Sequence, residues 1–167
     1  MTELRPGLTL DEIASIEREF GFCFADDHRA LLMTAHSVGG RLPNWRDGDR
    51  EQLREMLAWP VEGVLFDVRH NDFWYDGWGE RPESMEESLA TARGFLLDAP
   101  RLIPVYGHRY LPAGRGTEGH PVLSVWQTDI IIYGADLASY LRHEFGGEPL
   151  KLDGVRATAA FWKDVVQ

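Results

Sequence analysis

Apolar residues recur at helical spacing in the first third of the chain. Thr9 and Glu12 have the separation of a capping box, the arrangement that begins many helices. Proline lacks the amide hydrogen that an interior helical position donates, so Pro60 is expected to end a helix just before it. With these signals the spacing predicts helices over about residues 10–20, 26–37 and 50–58.

The pattern then changes to short runs rich in β-branched and aromatic residues. An apolar run over residues 63–68 contains enough Val and Phe to favour a strand. Residues 71–79 form an aromatic loop whose large rings are expected to pack on the sheet. A further helix is predicted over about residues 85–97.

Residues 100–134 carry the clearest strand signals. Pro104 cannot donate to a ladder, so its strand should be an edge strand or bulged. The unbroken run Ile130-Ile131-Ile132 predicts a strand covered on both faces and therefore central. Gln127-Thr128 is a poor two-residue turn, because neither residue readily takes a positive φ, and a longer or bulged connection is expected. The predicted antiparallel strands are residues 102–106, 108–111, 122–126 and 130–133.

The length of the chain suits one domain. A domain of this size buries roughly two thirds of its unfolded surface, and the sequence has no repeat or long linker. We predict a single domain over residues 1–167 that ends in a helical extension at about 155–167. No apolar run approaches the roughly 18 residues of a membrane span, so a cytoplasmic protein is expected. The single cysteine, Cys23, excludes intramolecular disulfides and multi-cysteine zinc sites.

The formal charge of −10, from 27 acidic and 17 basic side chains, is concentrated in one segment. The span from Val61 to Ala99 carries nine acids against three arginines. Nucleic-acid binders need clustered Lys and Arg, so direct binding of nucleic acid is disfavoured. An acidic segment suits a basic protein partner, although many acidic proteins carry such charge for solubility alone.

Two motifs suggest cofactors or metals, and neither has the context that such sites need. Residues 114–119 match the dinucleotide-binding pattern G-x-G-x-x-G, but a strand rather than a helix is predicted to follow them. Asp67, His70 and Asp72 could form a weak divalent site, but a solvated acidic loop is the favoured interpretation. We therefore expect no cofactor and no metal.

His108 and Asp129 are the most plausible general acid–base pair, because strand pairing could bring them together. The structural alternative is that Arg109 and Asp129 form an ion pair while His108 and Tyr110 fill one face of the sheet. The structural alternative is favoured, since active-site groups usually lie on loops carried by the scaffold.

An ordered series of motifs extends over about residues 8–145. The motifs are Leu8-Thr-Leu-Asp-Glu-Ile13, Trp59-Pro, Val64-Leu-Phe-Asp-Val68, Asn71-Asp-Phe-Trp74, Trp78-Gly-Glu-Arg-Pro82, Leu102-Ile-Pro-Val-Tyr-Gly-His-Arg-Tyr-Leu-Pro112, Pro121-Val-Leu-Ser-Val and Asp129-Ile-Ile-Ile-Tyr-Gly134. Together they resemble the SUKH superfamily, and more narrowly its Smi/Knr type, which is named for a fungal regulator of cell-wall synthesis and is abundant in bacterial toxin-immunity loci.

The resemblance implies an α+β fold, with helices packed on a mainly antiparallel sheet of about 4–6 strands, and a non-catalytic binding role. Bacterial members are commonly immunity proteins that neutralise polymorphic toxins, many of them nucleases or deaminases. No catalytic residues are carried over, because the family has no agreed ones. Other members are regulatory, so an intracellular scaffold or regulator is the alternative function. A small hydrolase that uses His108 and Asp129 is a second alternative.

The acidic, aromatic stretch before residue 100 is where a partner is expected to bind. Its carboxylates and rings would cover the active site of a basic toxin domain and inhibit it by occlusion. Neither nucleic acid nor membrane is expected as a direct partner. The predicted partner-binding residues are Asp72, Trp74, Asp76, Trp78, Glu80 and Glu83.

Overall fold

The first long helix begins at the predicted capping box. In this computed structural model, which describes residues 3–167, the Thr9 hydroxyl accepts a hydrogen bond from the amide of Glu12 at 3.2 Å, and the Glu12 carboxylate accepts one from the amide of Thr9 at 2.8 Å. This reciprocal pair satisfies two amides at the start of the helix. Gly21 ends the helix with φ 72°.

The chain consists of helices and short strands, with four strands in succession after α4. In order, the elements are β1 (Glu3–Pro6), α1 (Leu10–Phe20), α2 (Asp26–Thr34), β2 (Ala35–Val38), α3 (Arg50–His70), a 3-10 turn (Asp76–Trp78), α4 (Met85–Asp98), β3 (Leu102–Tyr106), β4 (Arg109–Pro112), β5 (Val122–Trp126), β6 (Asp129–Gly134), α5 (Leu137–Gly146) and α6 (Trp162–Val165).

The main sheet has four antiparallel strands in the order β3-β4-β5-β6, and β1 pairs with β2 in a separate antiparallel sheet. The predicted α+β class, with helices packed on an antiparallel sheet in a single domain, is therefore confirmed. The expectation for Pro104 is also confirmed. It lies on edge strand β3, and the register with β4 shifts between Pro104 and Tyr106.

Strand β6 forms the other edge of the sheet, so the prediction that it is central is wrong. Ile130 is fully buried, but Ile131 is 40% exposed, because successive residues of a strand face opposite sides of the sheet. The C-terminus pairs with this edge, and the amide of Gln167 donates to the carbonyl of Ile130 at 2.9 Å. The run of three Ile residues therefore belongs to an edge strand with one buried face, and the C-terminus covers part of its edge.

The two faces of the sheet are covered by different helices. Residues of α3 and α4, such as Val64 and Leu96, pack on Leu123 and Val125 of the central strand β5. On the opposite face, Tyr140 of α5 packs among buried residues of β3, β4 and β5. A third cluster joins α1, α3 and the loop tryptophan at position 45.

Helix α3 continues through Pro60 to His70, so the predicted helix end and the predicted strand at residues 63–68 are both wrong. Proline at position 60 cannot donate to the carbonyl of Met56, four residues earlier. The Tyr110 hydroxyl donates to that carbonyl at 2.8 Å instead. Because a strand of the sheet replaces the missing hydrogen bond, the helix continues and buries one apolar stripe.

The β5–β6 connection is a two-residue turn, Gln127-Thr128, with Trp126 paired to Asp129, and the expectation of a longer or bulged connection is wrong. Gln127 takes φ 55°, which costs free energy for a residue with a side chain. Asp67 of α3 stabilises the turn, because its carboxylate accepts from the Thr128 amide at 2.8 Å and from the Thr128 hydroxyl at 2.5 Å. A tertiary contact thus selects a turn that the local sequence does not favour.

The C-terminal extension is helical only in the short segment α6. Trp162, which is 1% exposed, anchors it in the core, and its indole donates to the carbonyl of Pro100 at 2.7 Å. The extension predicted at residues 155–167 is therefore mostly irregular in backbone structure, and it is anchored through Trp162.

Candidate functional site

Three of the nine acids between Val61 and Ala99 are used by the fold. Asp67 is buried and bonded to Thr128 and Asn71. Glu62 pairs with Arg93 at 2.7 Å, and Asp72 pairs with Arg81 at 2.6 Å. These carboxylates contribute less to an external field than the sequence count suggests.

Five exposed carboxylates between the aromatic loop and the first turn of α4 have no ion-pair partner within residues 3–167. We call this group the acidic surface. Two of its members lie in the first turn of α4, where the helix dipole stabilises negative charge. No arginine of the described chain neutralises them, so the surface keeps a concentrated negative charge. Its residues are Asp76, Glu80, Glu83, Glu86 and Glu87.

The two tryptophans of the predicted site have different environments. Trp78 is 6% exposed and lies in the core, stacked on Phe161 with ring centroids 5.5 Å apart. Trp74 is half-buried, and its indole donates to the carbonyl of Gly79 at 2.8 Å while Arg81 lies over its ring. Trp78 therefore organises the loop from within, and Trp74 remains partly exposed at the surface.

The predicted residues thus divide into structural and exposed groups. Asp72 is exposed but paired with Arg81, and Trp78 is buried. Asp76, Glu80 and Glu83 are exposed and unpaired within the described chain. The part of the predicted site that remains available for a partner is carboxylate-rich.

A second exposed surface is formed by Trp59 of α3 and Trp126 at the end of β5. Trp59 is 41% exposed and Trp126 is 53% exposed, and their rings meet edge to face with centroids 5.3 Å apart. The Trp59 indole donates to the carbonyl of Val125 at 3.2 Å, which fixes its orientation. We call this pair the tryptophan corner, and it borders a surface cavity of about 360 Å³.

The sequence contains six tryptophans, and it does not show which of them are exposed and able to anchor an interface. By local pattern, Trp59 belongs to a helix end and Trp126 is an ordinary strand residue. The signal that identifies them is tertiary, because α3 continues past Pro60 and crosses the end of β5.

The β5–β6 turn lies close to the tryptophan corner and to one residue of the acidic surface. Trp126 immediately precedes the turn, and Thr128 lines a shallow cavity together with Trp74 and Asp76. Asp67 holds this turn against α3. A partner seated over the turn could therefore contact both the tryptophan corner and Asp76.

His108 and Asp129 do not form a pair. Strand β5 separates β4 from β6, and within residues 3–167 no hydrogen bond or ion pair joins the two side chains. The His108 Nδ1 lies 2.9 Å from the Arg41 guanidinium, and burial, with Arg109 and Arg41 nearby, lowers the pKa of His108. This geometry does not provide the acid–base relay that a hydrolase needs.

Arg109 has a partner other than the expected Asp129. Its guanidinium donates to the Ser124 hydroxyl at 2.8 Å and lies 3.7 Å from the centroid of the Tyr133 ring. The ion pair expected between Arg109 and Asp129 is therefore wrong. Arg109 and Ser124 lie directly opposite each other on neighbouring strands, so Arg109 bonds to Ser124 and not to Asp129.

The glycine-rich segment 114–119 is already occupied by carboxylates of the same chain. The amide of Gly116 donates to Asp26 at 2.9 Å, and the amide of Gly119 donates to Asp27 at 3.0 Å. These amides are the groups that would bind a phosphate in a nucleotide site. The segment, which joins β4 to β5, is therefore hydrogen-bonded to the start of α2, and these two amides are not free to hold a phosphate.

Within the residues that the structure describes, no group of three or more His, Cys, Asp or Glu side chains is arranged to hold a metal ion. The Asp67 carboxylate that was considered for a divalent site is instead used by Thr128 and Asn71. No helix in residues 3–167 is long and apolar enough to cross a membrane.

Comparison with protein-family models, curated proteins and solved structures finds no match to this chain.

Proposed function

We propose that this chain is a non-catalytic protein-binding domain of the SUKH type that neutralises a basic toxin domain inside the cell. The observation that carries the proposal is the acidic surface, with five exposed carboxylates and no ion-pair partner in the described chain. Its charge and its aromatic neighbours together suit a protein ligand better than a small substrate or a nucleic acid.

The acidic surface supports a basic partner because a nuclease active site needs positive charge to bind its phosphate substrate. Carboxylates can occupy the same positions as those phosphates. Concentrated charge of opposite sign also accelerates association and disfavours partners of like charge. The inhibitor would then block substrate entry without any chemistry.

The tryptophan corner supports a tight complex. Tryptophan is enriched among the residues that contribute most binding energy in interfaces, especially where a ring is held in one orientation. Trp59 is held by its hydrogen bond to Val125 and by the ring of Trp126. A partner that covers the β5–β6 turn would remove these rings from water while the acidic surface contacts its basic site.

Co-expression with the toxin domain encoded beside this chain tests the proposal. We expect cells to survive when both are produced and the two proteins to copurify as a complex. No rescue and no complex at micromolar concentrations would refute the immunity role. Stable binding to a different, non-toxic protein would favour the scaffold or regulatory alternative.

A charge-matched pair of variants tests the surface itself. The first replaces three carboxylates of the acidic surface, as Asp76→Asn, Glu80→Gln and Glu83→Gln. The control makes the same change in net charge at three exposed acids elsewhere, as Asp11→Asn, Glu118→Gln and Asp153→Asn. We expect the first variant to associate about tenfold more slowly at low salt and the control to associate at nearly the original rate. Equal rates for both variants would remove the acidic surface from the mechanism.

A further inference from the structure

A largely apolar cavity of about 200 Å³ lies where α2 and β2 approach β3 and α5. Leu32, Trp45 and Val105 form part of its wall, and Leu141 and Phe145 contribute from α5. The cavity is partly open to solvent, and its wall is mostly apolar with few polar groups. A concave, largely apolar pocket with a few polar groups is the usual form of a small-molecule binding site.

His28 is the one ionisable side chain of the described chain that lines this cavity. It is 2% exposed, and its Nδ1 has no hydrogen-bond partner within residues 3–167. A buried polar atom without a partner loses its hydration and gains nothing in return. The imidazole makes no side-chain hydrogen bond within residues 3–167, so a ligand in the cavity can form one with a ring nitrogen that reaches the wall.

The wall chemistry also determines the charge of an occupant. Among the described residues, no Lys, Arg, Asp or Glu side chain lines the cavity. Burial lowers the pKa of His28 to about 4, so its ring is neutral at neutral pH. An ionic ligand would therefore lose its hydration without meeting an opposite charge, and an uncharged ligand is favoured.

We propose that this cavity binds a small uncharged molecule with one ring and one hydroxyl group, the hydroxyl forming a hydrogen bond with the imidazole of His28. An apolar cavity of about 150 Å³ is large enough for benzene, so the present cavity holds a single ring with a small substituent. A hydroxyl both donates and accepts, so it can pair with either tautomer of the ring.

The cavity has a route to solvent beside Phe145. This residue is 56% exposed, although it lines the cavity, and its ring meets Tyr106 edge to face with centroids 5.3 Å apart. A ligand can therefore enter by displacement of one exposed side chain at the end of α5. The acidic surface and the tryptophan corner do not contribute to the wall, so this site is independent of the proposed toxin contact.

Calorimetric titration of the full chain with three probes tests the chemistry. We expect p-cresol to bind, toluene to bind roughly three- to tenfold more weakly because it lacks the hydroxyl, and 4-hydroxybenzoate not to bind because it carries a charge. Absence of p-cresol binding at millimolar concentration would overturn the proposal and leave the cavity to a side chain of a protein partner.

Two variants test the location and the role of His28. Ala35→Phe fills the cavity and should abolish p-cresol binding, whereas Ala30→Phe places the same ring at an exposed position of α2 and should leave binding unchanged. His28→Phe keeps a ring in place but removes the polar atoms, so p-cresol and toluene should then bind with equal affinity. Unchanged binding in Ala35→Phe, or an unchanged preference for p-cresol in His28→Phe, would also overturn the proposal.

Discussion

The Tyr110 hydroxyl donates a hydrogen bond to the carbonyl of Met56 at 2.8 Å, which is the oxygen that Pro60 leaves without its helical donor. Tyr110 is 2% exposed, and burial raises the pKa of its hydroxyl, which keeps it protonated as a donor. A side chain of β4 therefore completes the backbone hydrogen bonding of α3. This contact allows one helix of 21 residues to extend along the sheet.

We predict that Tyr110→Phe lowers the free energy of unfolding by about 0.5–1.5 kcal/mol, because the partly buried Met56 carbonyl then loses its hydrogen-bond donor. The same substitution in a Pro60→Ala background should cost clearly less, since an alanine at that helical position restores the amide donor. Urea denaturation of the four proteins of this double-mutant cycle measures the coupling. Equal costs in both backgrounds would mean that Tyr110 stabilises the chain by packing alone.

This contact also explains why the sequence predicted α3 incorrectly. A proline within a helical pattern usually ends the helix, and residues 63–68 contain enough β-branched side chains to suggest a strand. The donor that compensates for Pro60 comes from a residue 50 positions later in the chain. Local propensity cannot include such a partner, whereas the capping box at Thr9 and the strands of residues 102–134 depend on neighbours and were predicted correctly.

The sequence predicts the negative charge of the candidate site, but it does not predict which of the side chains there are exposed and unpaired. The excess of acids before residue 100 is visible in the sequence, and it locates Asp76, Glu80 and Glu83 on an exposed surface. Burial of Trp78 and pairing of Asp72 with Arg81 depend on tertiary packing. The tryptophan corner was missed for the same reason, because it exists only where α3 crosses the end of β5.

Asp67 is predicted to be essential for the β5–β6 turn. Asp67→Ala removes three hydrogen bonds, two from Thr128 and one from Asn71, and should lower the free energy of unfolding by about 2–4 kcal/mol. Asp129→Ala, at an exposed carboxylate beside the same turn, is the matched control and should change it by less than about 0.5 kcal/mol. Similar losses in both variants would show that net charge, rather than the turn contact, determines the effect.

Substitution of two helical glycines by alanine should change the stability of the protein in opposite directions. A Cβ at position 63 would lie 3.0 Å from the Cα of Gln127, so Gly63→Ala forces α3 away from the turn and should destabilise the protein by about 1–2 kcal/mol. A Cβ at position 94 of α4 meets nothing within 4 Å. Gly94→Ala should therefore stabilise by about 0.5–1 kcal/mol, because alanine favours the helix. Thermal denaturation of both variants measures these changes. Destabilisation by Gly94→Ala would contradict the conclusion that position 94 has room for a Cβ.

Alanine substitutions of Trp126 and Trp78 should affect different properties, partner affinity in the first and stability in the second. Trp126→Ala removes an exposed ring, so we expect little change in stability but a loss of about tenfold or more in affinity for the proposed toxin partner. Trp78→Ala removes a buried ring and should destabilise the chain by about 3–5 kcal/mol. Denaturation and binding titrations on the same samples provide both readouts. Full affinity in Trp126→Ala would exclude the tryptophan corner from the interface.

The buried His28 should make the stability of the protein depend on pH in a defined window. Burial lowers the pKa of His28 from 6.5 in the unfolded chain to about 4 in the native protein. Between these values the unfolded state binds a proton and the native state does not, so stability falls as pH falls from about 6.5 to 4. The His28 contribution amounts to about 2 kcal/mol between pH 7 and pH 5.

His28→Phe should remove this share of the pH dependence, measured as the difference in urea unfolding free energy between pH 7 and pH 5. Burial also lowers the pKa values of His36 and His108, so a loss of stability in the same direction is expected to remain in the variant. Pairing with Arg46 lowers the pKa of Glu12 to about 2, and its effect falls below pH 4.5, outside the measured interval. An unchanged difference in His28→Phe would mean that His28 reaches a proton acceptor or solvent in the native state, and the neutral imidazole required by the cavity proposal would then be wrong.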